Sequence, residues 1–159
     1  MRILVCIRYL LLTGVAALGT ISAQNPKIKR IIDQVGLKYI VDKDGDFKMT
    51  FDVGEGRTQL VFVMSSVEEI GGQSIVQIWS PAYKQAEISK ETLAKLAVDG
   101  RQRKVGGWEL TTASNQVFAV FKVKIPLSAL TPDFMRSVCA GVASAADQME
   151  RDIMGSDDF

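Results

Sequence analysis

The sequence predicts an α+β fold in which a mainly antiparallel sheet is flanked by three helices. Segments of alternating apolar and polar residues, typical of half-buried strands, follow one another with short turns between them. Three other segments carry apolar residues at helical spacing. Because strands joined by short turns pair antiparallel, the predicted order is α-β-β-β-β-α-β-β-α.

The first helix begins at Asn25-Pro26, because asparagine is a good N-cap and proline suits the first helical position. Gly36 ends it. Four strands are expected next, and Pro81 should end the fourth because proline cannot donate to a ladder. These strands are predicted at 37–41, 47–52, 59–64 and 75–80, with a plain connection at 68–72.

Ser89 is the expected N-cap of a second helix, which turns Leu93, Leu96 and Ala97 inward. A hairpin around Ser114-Asn115 follows, with strands at 108–113 and 116–125. Thr131-Pro132 opens the last helix in the same way as Asn25-Pro26 opens the first. Its apolar face is predicted to hold Met135, Val138, Cys139, Val142, Ala146, Met149 and Ile153.

Residues 1–23 have the pattern of a secretory signal peptide. Arg2 and Arg8 supply the positive start, and the apolar run 9–18 is shorter than the ~20 residues of a spanning helix. Small residues before Gln24 predict cleavage between Ala23 and Gln24. We therefore expect one exported domain, residues 24–159, in the periplasm or the surrounding medium, with no stable membrane association after cleavage.

Composition argues against several function classes. Without Arg2 and Arg8, the domain has 17 basic and 18 acidic residues, and no basic stripe favours nucleic acid. The chain has no histidine, the commonest general base and metal ligand, so we expect no enzyme and no cofactor. Cys139 is the domain's single cysteine and cannot form an internal disulfide.

Ordered short motifs give the chain a resemblance to a known family. They are Val35-Gly36-Leu37-Lys38-Tyr39, Asp42-Lys43-Asp44-Gly45-Asp46-Phe47, Leu60-Val61-Phe62-Val63, Gly107-Trp108-Glu109-Leu110, Lys124-Ile125-Pro126-Leu127 and Ala145-Ala146-Asp147-Gln148-Met149-Glu150. The chain resembles the YbjN family, described as bacterial sensory transduction regulators with a fold like that of type III secretion chaperones. The resemblance implies a non-enzymatic domain that works through protein contacts and supplies no catalytic residues.

Two acidic segments have alternative interpretations. Carboxylates around a glycine at residues 42–46 suit calcium, but the glycine comes one place early and no closing glutamate follows, so a hairpin turn is favoured. Asp147 and Glu150 are neighbours on the last helix and could serve acid–base chemistry. The ordinary interpretation, a solvated helix face, is preferred.

Two further features have plain interpretations. Cys139 lies on the apolar stripe of the last helix, so we expect a buried, unreactive thiol, with an intermolecular disulfide as the alternative. Residues 101–104 form a short basic loop. Three charges are too few for stable binding to a membrane or nucleic acid, so a solvated loop is expected.

The more polar face of the sheet is the predicted binding site. Period-two alternation puts Ile40, Trp79, Phe118 and Val120 on this face, among several lysines. Apolar residues rimmed by charge are typical of a protein interface. The alternative is that a helix or a connection covers them.

Three functional hypotheses follow. The first is an exported protein-binding domain, regulatory or chaperone-like, whose partner is a protein not named by the sequence or a second copy in a homodimer. The alternative is a periplasmic carrier of a small apolar ligand, with Met135 and Met149 of the last helix lining the pocket. The third is a hydrolase that uses carboxylates only.

Overall fold

The computed structural model describes residues 24–159, so the predicted signal peptide and the residue before its cleavage site, Ala23, lie outside the described residues. The predicted α+β class and element order are confirmed. The elements are α1 (Pro26–Val35), β1 (Ile40–Val41), β2 (Phe47–Gly54), β3 (Arg57–Val63), β4 (Glu68–Ile70), β5 (Gln73–Gln85), α2 (Lys90–Gly100), β6 (Gly107–Ala113), β7 (Gln116–Pro126), a 3₁₀ turn (Leu127–Ala129) and α3 (Pro132–Ile153).

The seven strands form one antiparallel sheet of order β1-β2-β3-β5-β7-β6, and β4 pairs with the start of β5. The short strand β4 lies in the segment predicted to be a plain connection. Strand β3 pairs with β5 at only two positions, Phe62 with Trp79 and Val63 with Ile78. Beyond them the two strands separate, and Gln59 Nε2 bridges the gap by donating to Ser80 Oγ over 2.9 Å.

The prediction that Pro81 ends β5 is wrong, because the strand continues to Gln85. The register between β5 and β7 shifts between Pro81 and Tyr83, which marks a β-bulge. Bulges are positions where a strand accepts proline. The proline carbonyl is also used, since it accepts a 2.6 Å hydrogen bond from Gln59 Nε2.

Local capping follows the sequence signals. Asn25 Oδ1 accepts hydrogen bonds from the backbone N–H groups of Lys27 and Ile28, and Gly36 ends α1 with a φ of 73°. Ser89 and Thr131 accept one backbone N–H each at the starts of α2 and α3. Ser114 and Asn115 both have positive φ, as a type I′ hairpin turn requires.

The core lies between one face of the sheet and the helices. Helices α1 and α3 pack with alternate residues of the central strands, and α2 contacts the same side near β6. Because α2 contacts the sheet only near its β6 edge, Leu96 is buried, but Leu93 is 38% exposed and Ala97 is exposed. The prediction that all three side chains turn inward is therefore wrong for Leu93 and Ala97. No helix within residues 24–159 is long and apolar enough to cross a membrane.

Cys139 is completely buried on α3, which confirms the predicted packing role. Burial in an apolar environment raises the pKa of its thiol to about 12. The thiol therefore stays protonated at neutral pH and is a poor nucleophile.

Candidate functional site: the open face of the sheet

A row of paired residues crosses the sheet on the face opposite the helices. Ile40 pairs with Lys48, Lys48 with Phe62, Phe62 with Trp79, and Trp79 with Lys122. Directly paired residues project to the same side of a sheet, so these side chains lie side by side. Within the described chain, the core clusters that join helices to sheet contain none of them. We call this surface the open face.

The centre of the open face is an aromatic stack. The rings of Phe62 and Trp79 lie 4.2 Å apart between centroids and 10° from parallel. Both side chains are half-buried, and Trp79 Nε1 donates to Met64 Sδ over 3.3 Å. Two stacked rings form a rigid apolar platform that needs little ordering when a partner arrives.

Charged side chains surround this platform. Lys48 Nζ lies 5.8 Å from the centroid of the Phe62 ring, at cation–π distance. On the other side of the stack, Lys122 Nζ forms a 2.5 Å ion pair with Glu109. Both lysines are therefore held in position next to the rings, and the surface combines an apolar centre with a charged margin.

A shallow groove of about 300 Å³ runs from Trp79 toward the turn at residues 42–46. The predicted turn is confirmed, with Gly45 at a φ of 86° and Gly45 N–H donating to the Asp42 carbonyl over 3.1 Å. Asp42 Oδ1 accepts the backbone N–H groups of Asp44 and Asp46. Its carboxylate therefore stabilises the turn itself.

Asp46 is the buried end of this turn. Its Oδ1 accepts a 2.6 Å hydrogen bond from Ser65 N–H, and the Ser65 hydroxyl donates to the Gly45 carbonyl over 2.6 Å. Burial raises the pKa of Asp46, the Ser65 N–H opposes this, and the charges of Asp42 and Asp44 add to it. The turn is thus fixed to the segment after β3, beside the open face.

The four predicted site residues do not form one cluster. Trp79 lies at the centre, and Val120 lines the groove beside it but is only 3% exposed. Ile40 is 63% exposed at the β1 edge, three strands from Trp79. Phe118 is half-buried farther along β7, with Lys84 Nζ 5.9 Å from its ring. Their role in protein binding stays a prediction.

Phe62 is the site residue that the sequence analysis missed. Strand β3 is apolar on both faces, so its pattern does not separate inward from outward side chains. The pairing of Phe62 with both Lys48 and Trp79 places it outward. The pairing register between strands would have identified Phe62, but the sequence of a single strand does not specify that register.

The acidic pair on the last helix is not solvated, contrary to prediction. Asp147 is 6% exposed and Glu150 is completely buried. Arg57 at the start of β3 lies against both, with its Nε 2.6 Å from Asp147 Oδ1 and its Nη2 3.4 Å from Glu150 Oε2. Arg151 also contacts Asp147, over 3.1 Å.

Oxygen atoms of Asp147, Glu150 and Asp157 in this cluster lie within 4.8 Å of one another, close enough to share a metal ion. Arg57 Nη2, 3.6 Å from Asp157, already brings a positive charge among them. The arrangement therefore works as an ion-pair network that joins β3, α3 and the chain end.

Comparison with known proteins bears on the fold. No family model matches the chain, and no curated protein matches it. A solved structure of YbjN from E. coli, described as a candidate transcription regulator, superposes with a TM-score of 0.52 at 7% identity. The superposition covers 80% of this chain and 89% of that one.

A second solved structure is also similar, that of an uncharacterized protein from Methanothermobacter thermautotrophicus. It has a TM-score of 0.48 and 16% identity, and covers 80% of this chain and 94% of that one. The observed α+β architecture and the superposition on the E. coli protein agree with the resemblance carried by the sequence motifs. This chain has a YbjN-like fold.

Proposed function

We propose that the protein is an exported, non-enzymatic binding module that holds a partner protein on the open face of its sheet. The observation that carries the proposal is the Phe62–Trp79 stack at the centre of a sheet face without a packed helix among residues 24–159. Aromatic residues within a charged margin are the usual energetic centre of a protein interface.

A regulatory or chaperone-like role is the form of binding that we favour. The YbjN-like fold supports it, because the similar E. coli protein is described as a candidate transcription regulator. The balanced charge of the domain argues for a protein partner over nucleic acid. The signal-peptide pattern of residues 1–23 supports export.

The test is affinity capture with two matched variants. Trp79→Glu puts a charge at the centre of the open face, whereas Ala140→Glu puts the same charge on an exposed position of α3. Each protein is immobilised and exposed to the exported fraction of its own cells, and retained proteins are quantified by mass spectrometry.

We expect a protein that the wild type and Ala140→Glu retain and that Trp79→Glu loses by at least about tenfold, as for a central interface residue. Circular dichroism checks that both variants fold. Equal retention by all three proteins, or no specific retention by any, contradicts the proposal.

A further inference from the structure

An apolar groove of about 250 Å³ lies on the helix side of the sheet, away from the open face. Its floor is made by core residues of β7 and α3, namely Phe121, Val123, Val138 and Val142, all at most 6% exposed. One wall is the stripe of α3 from Phe134 to Ala145, and the other is the loop between α2 and β6.

Two small residues leave the groove unfilled. Gly141 and Ser137 lie one turn apart on the α3 wall, and a Cβ added to Gly141 would meet no atom within 4 Å. The Ser137 hydroxyl donates to the Asp133 carbonyl over 2.9 Å, so it presents no unsatisfied polar group. Glycine destabilises a helix relative to alanine, so the helix is less stable for having an open wall here.

The opposite wall is fixed in place. Arg103 is held by Asp99 through bonds of 2.8 Å and 2.5 Å, with its guanidinium 5.8 Å from the centroid of the Phe121 ring. Gly106 has a φ of 79°, and a Cβ there would lie 2.6 Å from the Lys122 carbonyl oxygen. The loop therefore lies directly against β7 at Gly106. Val105, 54% exposed, then stands at the edge of the groove.

The lining of the groove carries positive charge. Arg103 is neutralised by Asp99, but Lys104 is exposed and forms no ion pair within residues 24–159. An apolar groove with this lysine in its lining matches a molecule with an apolar chain and an anionic head. The volume lies just below the roughly 300–1,000 Å³ of drug-sized sites, so it suits one chain rather than a fused-ring lipid.

We propose that this groove binds a single free anionic amphiphile of the fatty-acid class, with its chain along α3 and its carboxylate at Lys104. The stripe from residue 134 to residue 145 is about 16 Å long along the helix axis, enough for an extended acyl chain. The site gives the predicted carrier of a small apolar ligand a location. It does not depend on the open face, and it does not involve Met135, which is completely buried in the core.

The test is calorimetric titration of the purified protein with dodecanoate below its micelle concentration, beside dodecanol as the uncharged probe. Gly141→Phe fills the groove, and Ser144→Phe adds the same ring to an exposed α3 position outside the lining. Lys104→Glu reverses the charge in the lining, and Lys90→Glu is its control on α2. Thermal unfolding confirms that each variant folds.

We expect one dodecanoate per chain, at least tenfold weaker binding for Gly141→Phe, and unchanged binding for Ser144→Phe. Lys104→Glu should weaken dodecanoate at least fivefold but leave dodecanol unchanged, and Lys90→Glu should change neither. Absence of saturable binding, or equal losses for the two phenylalanine variants, overturns the proposal. So does binding to phosphatidylglycerol vesicles without binding to monomeric dodecanoate.

Discussion

Arg57 ties the β2–β3 hairpin to the last helix and to the residues after it. Its side chain contacts Asp147 and Glu150, and its Nη1 donates to the Ser156 carbonyl over 2.8 Å. Glu150 in turn accepts a 2.6 Å hydrogen bond from Asp158 N–H. Removing Arg57 would leave two buried carboxylates without their main counter-charge. An uncompensated buried charge is strongly destabilising, so this substitution should lower the stability of the fold.

Glu150 should make stability depend on pH. Burial raises its pKa above the ordinary 4.5, although the Asp158 N–H and Arg57 favour the charged form. The folded protein therefore holds this proton to a higher pH than the unfolded chain does. The contribution of Glu150 to the free energy of unfolding falls as the pH rises from its unfolded pKa to its raised folded pKa.

Glu150→Gln should remove this dependence, because glutamine does not titrate and still offers an oxygen to Asp158 N–H. Urea unfolding of both proteins at about pH 5 and about pH 7 measures it. The free energy of unfolding of the variant, relative to that of the wild type, should be larger at about pH 7 than at about pH 5. A difference in unfolding free energy that stays constant, or shrinks toward pH 7, would show that Glu150 is not a buried, titrating group.

Among residues 24–159, β6 is the longer unpaired edge of the sheet. It is seven residues long and pairs in this range only with β7, whereas the other edge, β1, has two residues. Ala113 and Gln116 flank a two-residue turn and form a hydrogen-bonded pair. Because hydrogen-bonded and non-hydrogen-bonded positions alternate along an antiparallel ladder, the backbone N–H and C=O groups of Trp108, Leu110 and Thr112 point away from β7. Such an edge is a template for another strand.

The homodimer predicted from the sequence fits this edge, and we propose that two copies pair antiparallel about Leu110. That register places Trp108 opposite Thr112 and Glu109 opposite Thr111, so no like charges meet. Leu110 is 49% exposed and would be covered. Leu110→Lys should convert the dimer into a monomer in sedimentation velocity, while Val98→Lys on α2 should not. A monomeric wild type, or a dimeric Leu110→Lys, contradicts this pairing.

Elements whose signals are local could be predicted from the sequence. The caps at Asn25, Ser89 and Thr131 and the turn at Ser114-Asn115 depend on residues a few positions apart. Strand β4 escaped prediction because three exposed residues carry no alternation of burial. Its existence depends on pairing with β5.

Features that join distant segments could not be predicted. Asp147 was expected in solvent because its partner Arg57 lies 90 residues away in the sequence. Phe62 escaped notice because both faces of β3 are apolar, and only the register assigns it to the open face. The alternation of β5 correctly placed Trp79 on the open face, but its aromatic neighbour Phe62 could be placed only from the assembled sheet.

The whole molecule has two different sides. The helices and nearly all of the buried apolar residues lie on one side of the sheet, and the row from Ile40 to Lys122 lies on the other. The proposed amphiphile groove is on the helix side and the proposed protein interface is on the open face. A domain built this way can hold both kinds of partner without competition between them.

Site-specific photo-crosslinking in the producing cells shows whether a protein partner binds at the open face. A photoreactive phenylalanine analogue is placed at Thr50 and at Thr111, exposed positions on two sides of the aromatic stack. Ala140 and Ser144 on α3 carry it as controls. We expect Thr50 and Thr111 to form covalent adducts with a protein other than a second copy of this chain, and we expect none from α3. Adducts from α3 alone, or equally from all four positions, would contradict it.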